Sequence, residues 1–102
     1  MNPERISRNQ MIWQAYYKHP EATLDTVGQS YGVTRERIRQ VIAKVDRQYF
    51  RDEISRLKTL VELSNISVSS DDIRIVKAVI NKELPEKWYI NHIRLYRRHH
   101  HE

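Results

Sequence analysis

The chain has 102 residues, 39% of them apolar, which suits one small domain or a domain with an appendage and is too short for a multidomain enzyme. It has no cysteine, which excludes disulfides and thiolate zinc sites and fits a reducing, intracellular compartment. The net charge of +5 is concentrated, because residues 34 to 51 hold six basic and two acidic groups while residues 1 to 33 hold three of each. A patch of that kind attracts polyanions better than the same charge spread evenly.

Only two glycines and three prolines punctuate the chain, and the 52 residues from Val33 to Leu84 contain neither, so the fold class is read as all-α. A first helix is predicted from about Pro3 to Lys18, with Ile6, Trp13, Tyr16 and Tyr17 on its apolar face and Met11 and Ile12 alongside. Pro20 blocks its continuation. A short second helix starts near Thr23, carries Leu24, Val27 and Tyr31, and ends at Gly32. The third starts at Thr34, whose hydroxyl suits an N-cap, with an inward stripe of Ile38, Val41, Ile42 and Val45 continuing through Tyr49.

Past Tyr49 the spacing slips to a new stripe of Ile54, Leu57, Leu60 and Val61, so a bend or break is expected near residues 49 to 53. Ser64 to Ser70 reads as a polar loop, with Ser69 and Asp72 spaced as an N-cap and its third helical residue. The next helix carries Ile73, Val76, Val79 and Ile80. Pro85 opens the last, which carries Trp88, Tyr89, His92, Ile93 and Tyr96. Five or six helices result, divided into residues 1–50 and a helical extension at 51–102 read as a protein-docking module.

Residues 24 to 43 have the pattern of a helix-turn-helix. With Leu24 as the first of twenty positions, Gly28 is the fifth, where a small residue allows close approach, and Gly32 the ninth, where the turn needs a positive φ. Val27, Tyr31, Val33, Ile38 and Val41 fill the apolar positions of the helix–helix contact. The inward stripe of the third helix then turns Arg35, Glu36, Arg39, Gln40, Ala43, Lys44 and Arg47 outward. Arginine, glutamine and glutamate there suit guanine, adenine and cytosine edges in a major groove, while Lys44, Arg47 and Arg37 suit phosphates. The competing reading of the same face is an ion-paired surface, with Glu36 and Gln40 satisfying neighbouring arginines.

The run from Thr23 to Gln40, and above all Val33-Thr34-Arg35-Glu36-Arg37-Ile38-Arg39-Gln40 continuing to Ala43-Lys44, resembles conserved region 4 of the bacterial sigma-70 family. The resemblance implies contacts to bases of a promoter −35 element by Arg35, Glu36, Arg39 and Gln40. It implies backbone contacts by Arg37 and nearby groups, with Thr34, Lys44 and Arg47 among them, and Lys44 and Arg47 also match positions that face upstream activators. It further implies that the partners are double-stranded promoter DNA and bacterial RNA polymerase, whose β flap would meet a surface near Trp13, Tyr16, Tyr17 and Tyr49. The location implied is the cytoplasm of a bacterial cell or phage-infected host, associated with the nucleoid.

The match is strong over about 27 residues and reaches about 40 if the first helix stands for the preceding part of region 4. Ile42 departs from the family, where glutamate is common, and points to an additional buried contact. About half the chain follows the motif, and nothing resembles region 2. The expectation is one piece of a divided initiation factor, as in some large bacteriophages, with a second sigma-like chain supplying region 2 function, or a polymerase-associated regulator.

The alternatives are a free-standing dimeric repressor or activator reading half-sites about 34 Å apart, a phage DNA-packaging adaptor, and a polymerase inhibitor that mimics region 4. The apolar runs are too short for the about 20 residues of a membrane span, and the first ten residues do not resemble a secretory signal, so no membrane association is expected. His99, His100 and His101 read as a tail rather than a metal site, and His19 and His92 lack a second ligand at metal spacing. No cofactor is expected, and with no phosphate-cradling loop, nucleophile elbow or acidic pair the chain is not expected to be an enzyme. The aromatic residues are read as core rather than as base-stacking platforms.

Overall fold

The computed structural model describes residues 6–100, and among these it has six helices and no strand. They fall into two compact units, one ending at Tyr49 and the other beginning at Phe50.

The first unit holds α1 (Arg8–Tyr17), α2 (Leu24–Tyr31) and α3 (Arg35–Tyr49), with α1 and α2 packed on α3 and on each other. Ser7 sets the start of α1. Its hydroxyl accepts from the Gln10 amide at 3.2 Å while Gln10 Oε1 accepts from the Ser7 amide at 3.1 Å, a reciprocal cap that satisfies two otherwise orphaned donors. Ile6 therefore precedes the helix and is exposed, as is Met11, and Pro3 lies outside the described residues. Thr23 caps α2 in the same way through Thr26.

The core of this unit is Ile12, Trp13, Tyr17, Val27, Ile38, Val41, Ile42 and Val45. Each such aliphatic side chain removed from water contributes about 1.5–3 kcal/mol. Tyr49 departs from the expected stripe. It is 40% exposed, one turn beyond Asp46, the last buried residue of α3.

The second unit holds α4 (Arg51–Ser64), α5 (Ser70–Val79) and α6 (Glu86–His100), with α5 packed on both other helices and α4 along α6. The interruption between α3 and α4 is confined to Phe50, inside the segment where the apolar spacing slips. Asn65 ends α4 in a left-handed conformation, with φ of 47°. The core here is Leu57, Val61, Ile66, Ile73, Val76, Ile80, Leu84, Trp88, Tyr89 and Ile93.

Val79 does not join that core as expected and is 43% exposed. The chain leaves α5 at Ile80 in an extended conformation, so Ile80 turns inward instead. His92 is buried, stacked on the Trp88 ring at 4.1 Å, with its Nδ1 2.8 Å from the Trp88 carbonyl oxygen and donating to it. Buried Glu53 has Lys82 Nζ 4.0 Å away as its countercharge.

Candidate nucleic-acid interface

The turn between α2 and α3 is built by backbone constraints at two positions. Gly32 has φ 69° and ψ 32°, a left-handed conformation that costs a side-chain-bearing residue about 1–2 kcal/mol. The Val33 amide then bonds back to the Gly28 carbonyl at 2.9 Å and closes the end of α2. Gly28 is required by space, because a Cβ there would lie 2.7 Å from the Val33 carbonyl oxygen and 3.4 Å from the Thr34 carbonyl carbon. The close approach is thus made to the turn and the start of α3. Thr34 Oγ1 accepts from the Arg37 amide at 3.1 Å and starts α3.

Two tethers orient the scaffold around this turn. Arg8 Nη2 donates to the Tyr31 carbonyl oxygen at 2.9 Å, and its guanidinium lies 5.9 Å from the Tyr31 ring centre, so the start of α1 holds the end of α2. Buried Trp13 Nε1 donates to Asp46 Oδ1 at 2.8 Å and holds α1 to the C-terminal half of α3.

These constraints bury Val27, Gly28, Ile38, Val41, Ile42 and Val45 and leave Thr34, Arg35, Glu36, Arg37, Arg39, Gln40, Lys44 and Arg47 exposed. Ala43, expected outward, is half-buried. Buried Ile42 makes the additional apolar contact expected where the family commonly has glutamate. The 15 residues of α3 extend about 22 Å, longer than the roughly 12 Å width of a major groove.

Of the two carboxylates on α3, Asp46 turns into the core and only Glu36 remains on the exposed face, against five basic side chains. Glu36 is engaged by Arg39, whose Nε donates to Oε2 at 3.0 Å and whose Nη2 donates to Oε1. That hydrogen bonding and the arginine's charge, helped by Gln40 and Arg35, hold the Glu36 carboxyl below the usual carboxylate range. The same pair pushes the Arg39 guanidinium up. In the free protein, Arg39 is thus presented as half of an exposed ion pair, while Arg35, Arg37, Lys44 and Arg47 supply positive charge around it.

Residues 7–45 match the family model of sigma-70, region 4. The match begins at Ser7, the cap of α1, and ends at Val45, the last inward aliphatic residue of α3, so α1 lies within the matched segment. Comparison with curated proteins and with solved structures gave no match. A region 4 segment is a DNA-binding helix-turn-helix of transcription initiation, and interaction with DNA and RNA polymerase goes with it in general.

The aromatic surface expected to meet the polymerase flap needs correction. Trp13 and Tyr17 are buried in the core of the first unit, with ring centres 5.0 Å apart, which leaves half-buried Tyr16 and exposed Tyr49 at the surface. Asp46 was missed by sequence reasoning, which counted it with the charge of the third helix. Its position four residues after inward Ile42 was the available signal.

His19 is exposed with Glu21 4.0 Å away, and among the described residues no group of three or more His, Cys, Asp or Glu could hold a metal ion. His101 and the side chains of His99 and His100 lie outside what the structure describes. None of the described helices is long and apolar enough to cross a membrane.

Proposed function

We propose that the chain is a promoter-recognition subunit or regulator of bacterial transcription initiation that acts by binding, not catalysis. In this reading α3 enters the major groove of −35-like duplex DNA while the chain is associated with RNA polymerase. Arg35, Glu36, Arg39 and Gln40 meet base edges, and Thr34, Arg37, Lys44 and Arg47 meet phosphates. The observation that carries it is the division of α3 into a buried aliphatic stripe and an exposed face with five basic side chains and one acidic, inside a segment matching region 4.

The Glu36–Arg39 pair fits this role. Its partners are exposed and joined only to a near neighbour, so a base pair offering guanine acceptors can exchange for the carboxylate at little desolvation cost. Tyr16 and Tyr49 remain as the part of the first unit that would meet the β flap. A second sigma-like chain, as in a divided phage factor, would supply region 2 function. The second unit offers it an apolar surface, since Leu63 is 81% exposed and shares a groove with Leu60 and Val79.

Two measurements test the proposal. Reconstitution with bacterial polymerase, with and without candidate partner chains, should give start sites that depend on the chain when mapped on genomic DNA. In duplex binding, Arg39→Ala should weaken the preferred site about ten- to a hundredfold and relax preference at one position, while Lys44→Ala should weaken all sequences alike and lower the salt slope by about one. Equal, sequence-blind losses from both would overturn base reading by α3.

A further inference from the structure

The second unit carries a basic cleft that the region 4 match does not reach. Arg94, Arg97 and Arg98 line it together with Val68 of the α4–α5 loop, and it is open to solvent, with a volume of about 570 Å³, ample for a phosphodiester group. The three arginines are all the lysine and arginine side chains of the protein after Lys87. On α6 they stand three and four residues apart, so they share one face, where like charges repel.

Little among the described residues relieves that repulsion. None of the three takes part in an ion pair among the described residues, in contrast to Arg39 and Arg74, which each hold a carboxylate one turn away. Asp72 is the carboxylate coupled to Arg97, and its Oδ2 already accepts hydrogen bonds from the hydroxyls of Ser67 at 2.6 Å and Ser69 at 2.5 Å. Three guanidinium groups at one opening, with their donors uncommitted, match the planar two-pronged recognition of phosphate oxygens.

We propose that Arg94, Arg97 and Arg98 form a phosphate-binding cleft through which the second unit grips the sugar–phosphate backbone of nucleic acid. The choice of a nucleic acid as the source of phosphate rests on the DNA-binding reading of the first unit. The interaction is sequence-blind, because guanidinium–phosphate bonds position a duplex without reading its bases. It adds counterion release to the binding of α3, and direct continuity of the two units along the chain raises the effective concentration of the second grip once the first is made.

The test uses the full chain and a salt series of duplex binding. R94Q/R97Q/R98Q should make the plot of log affinity against log salt shallower by about two to three, near 0.9 for each phosphate that is no longer neutralised, with the order of preferred sequences unchanged. R94K/R97K/R98K, which keeps the charges, should retain the parent slope. A glutamine variant with the parent slope, or both variants falling alike, would overturn the proposal.

Failure of the first unit's reading is separable. If Arg39→Ala leaves sequence discrimination untouched while the glutamine variant still flattens the slope, base reading by α3 falls and the cleft stands. Nuclear magnetic resonance of Val68 and Arg97 supplies the remaining arms. Short duplex should shift both signals. Inorganic pyrophosphate saturating the cleft without competing with duplex would make a free small anion the ligand. Poly-glutamate competing as well as duplex would make it an acidic protein, and either result overturns a grip on the nucleic-acid backbone.

Discussion

The indole Nε1–H of Trp13 donates to Asp46 Oδ1 at 2.8 Å in the interior of the first unit, between residues 33 positions apart. The bond explains how a helix carrying a buried acid remains a good scaffold for a positive surface. Asp46 is engaged internally, and its charge is withdrawn from the face that α3 exposes. Trp13→Phe removes that donor from a buried carboxylate, and chemical denaturation should record a loss of about 1–3 kcal/mol. A double-mutant cycle with Asp46→Ala should give a coupling of at least about 0.5 kcal/mol, and additivity of the two losses would show that the bond contributes nothing.

Gly28 and Gly32 should respond differently to alanine. At Gly28 the new methyl group meets the backbone oxygen of Val33 at 2.7 Å, so the turn itself must shift, at a cost of about 1–3 kcal/mol. At Gly32 nothing lies within 4 Å of the new methyl, and the cost is the left-handed backbone alone, about 1–2 kcal/mol. Gly28→Ala should therefore also displace α3 and disturb amide signals from Val33 to Arg35, whereas Gly32→Ala should lower the melting temperature with α3 in place.

Glu36→Gln should raise affinity for all duplexes, because the one acid on the exposed face of α3 is removed, and should alter preference at the base pair served by Arg39. Binding curves at matched salt on a randomised site decide this. Unchanged preference would mean that Glu36 neither reads a base nor governs where Arg39 points. The carboxyl is held below its ordinary value by Arg39, so the pair is intact above about pH 4.3 and is lost as pH falls through the lowered value.

The start of α5 should be acid-sensitive. The Ser67 and Ser69 hydroxyls, helped by Arg97, hold the Asp72 carboxyl below the usual aspartate range. A lowered value in the folded state means that its stabilisation is fully present above about pH 3.9 and disappears as pH falls through the lowered value. Ser69→Ala removes the N-cap bond to the Asp72 amide, at a cost of about 1 kcal/mol. A carbon-detected titration should show the Asp72 carboxyl rising in that variant, and an unmoved titration would contradict the assigned cause.

Tyr89 ties down the segment between α5 and α6, where its hydroxyl accepts from the Leu84 amide and donates to the Lys82 carbonyl, each at 3.1 Å. Tyr89→Phe should cost about 1–3 kcal/mol in thermal or urea unfolding and raise hydrogen exchange at Leu84. Burial pushes the phenol up, so its stabilisation is present below about pH 10 and is lost as pH rises through the raised value.

What the sequence by itself determined was local. Gly32 at the turn, the hydroxyl of Thr34 three residues before Arg37, Ser69 three before Asp72 and Pro85 before the last helix all act within a few residues, so spacing along the chain was sufficient. The all-α class and, apart from half-buried Ala43, the outward set from Arg35 to Arg47 were legible for the same reason, since a helix repeats its faces at a constant interval. Even there, α1 begins at Arg8, where the two reciprocal hydrogen bonds between Ser7 and Gln10 cap it.

Only the tertiary structure decided which polar groups were taken inside and which charges were left without partners. The burial of Asp46 against Trp13, the exposure of Val79 beside inward Ile80, and the meeting of Val68 with Arg94, Arg97 and Arg98 depend on segments distant in sequence or on where a helix ends. Desolvation and ion pairing are properties of three-dimensional neighbourhoods. A charge counted along the chain therefore does not reveal whether it is neutralised in the core or offered at the surface.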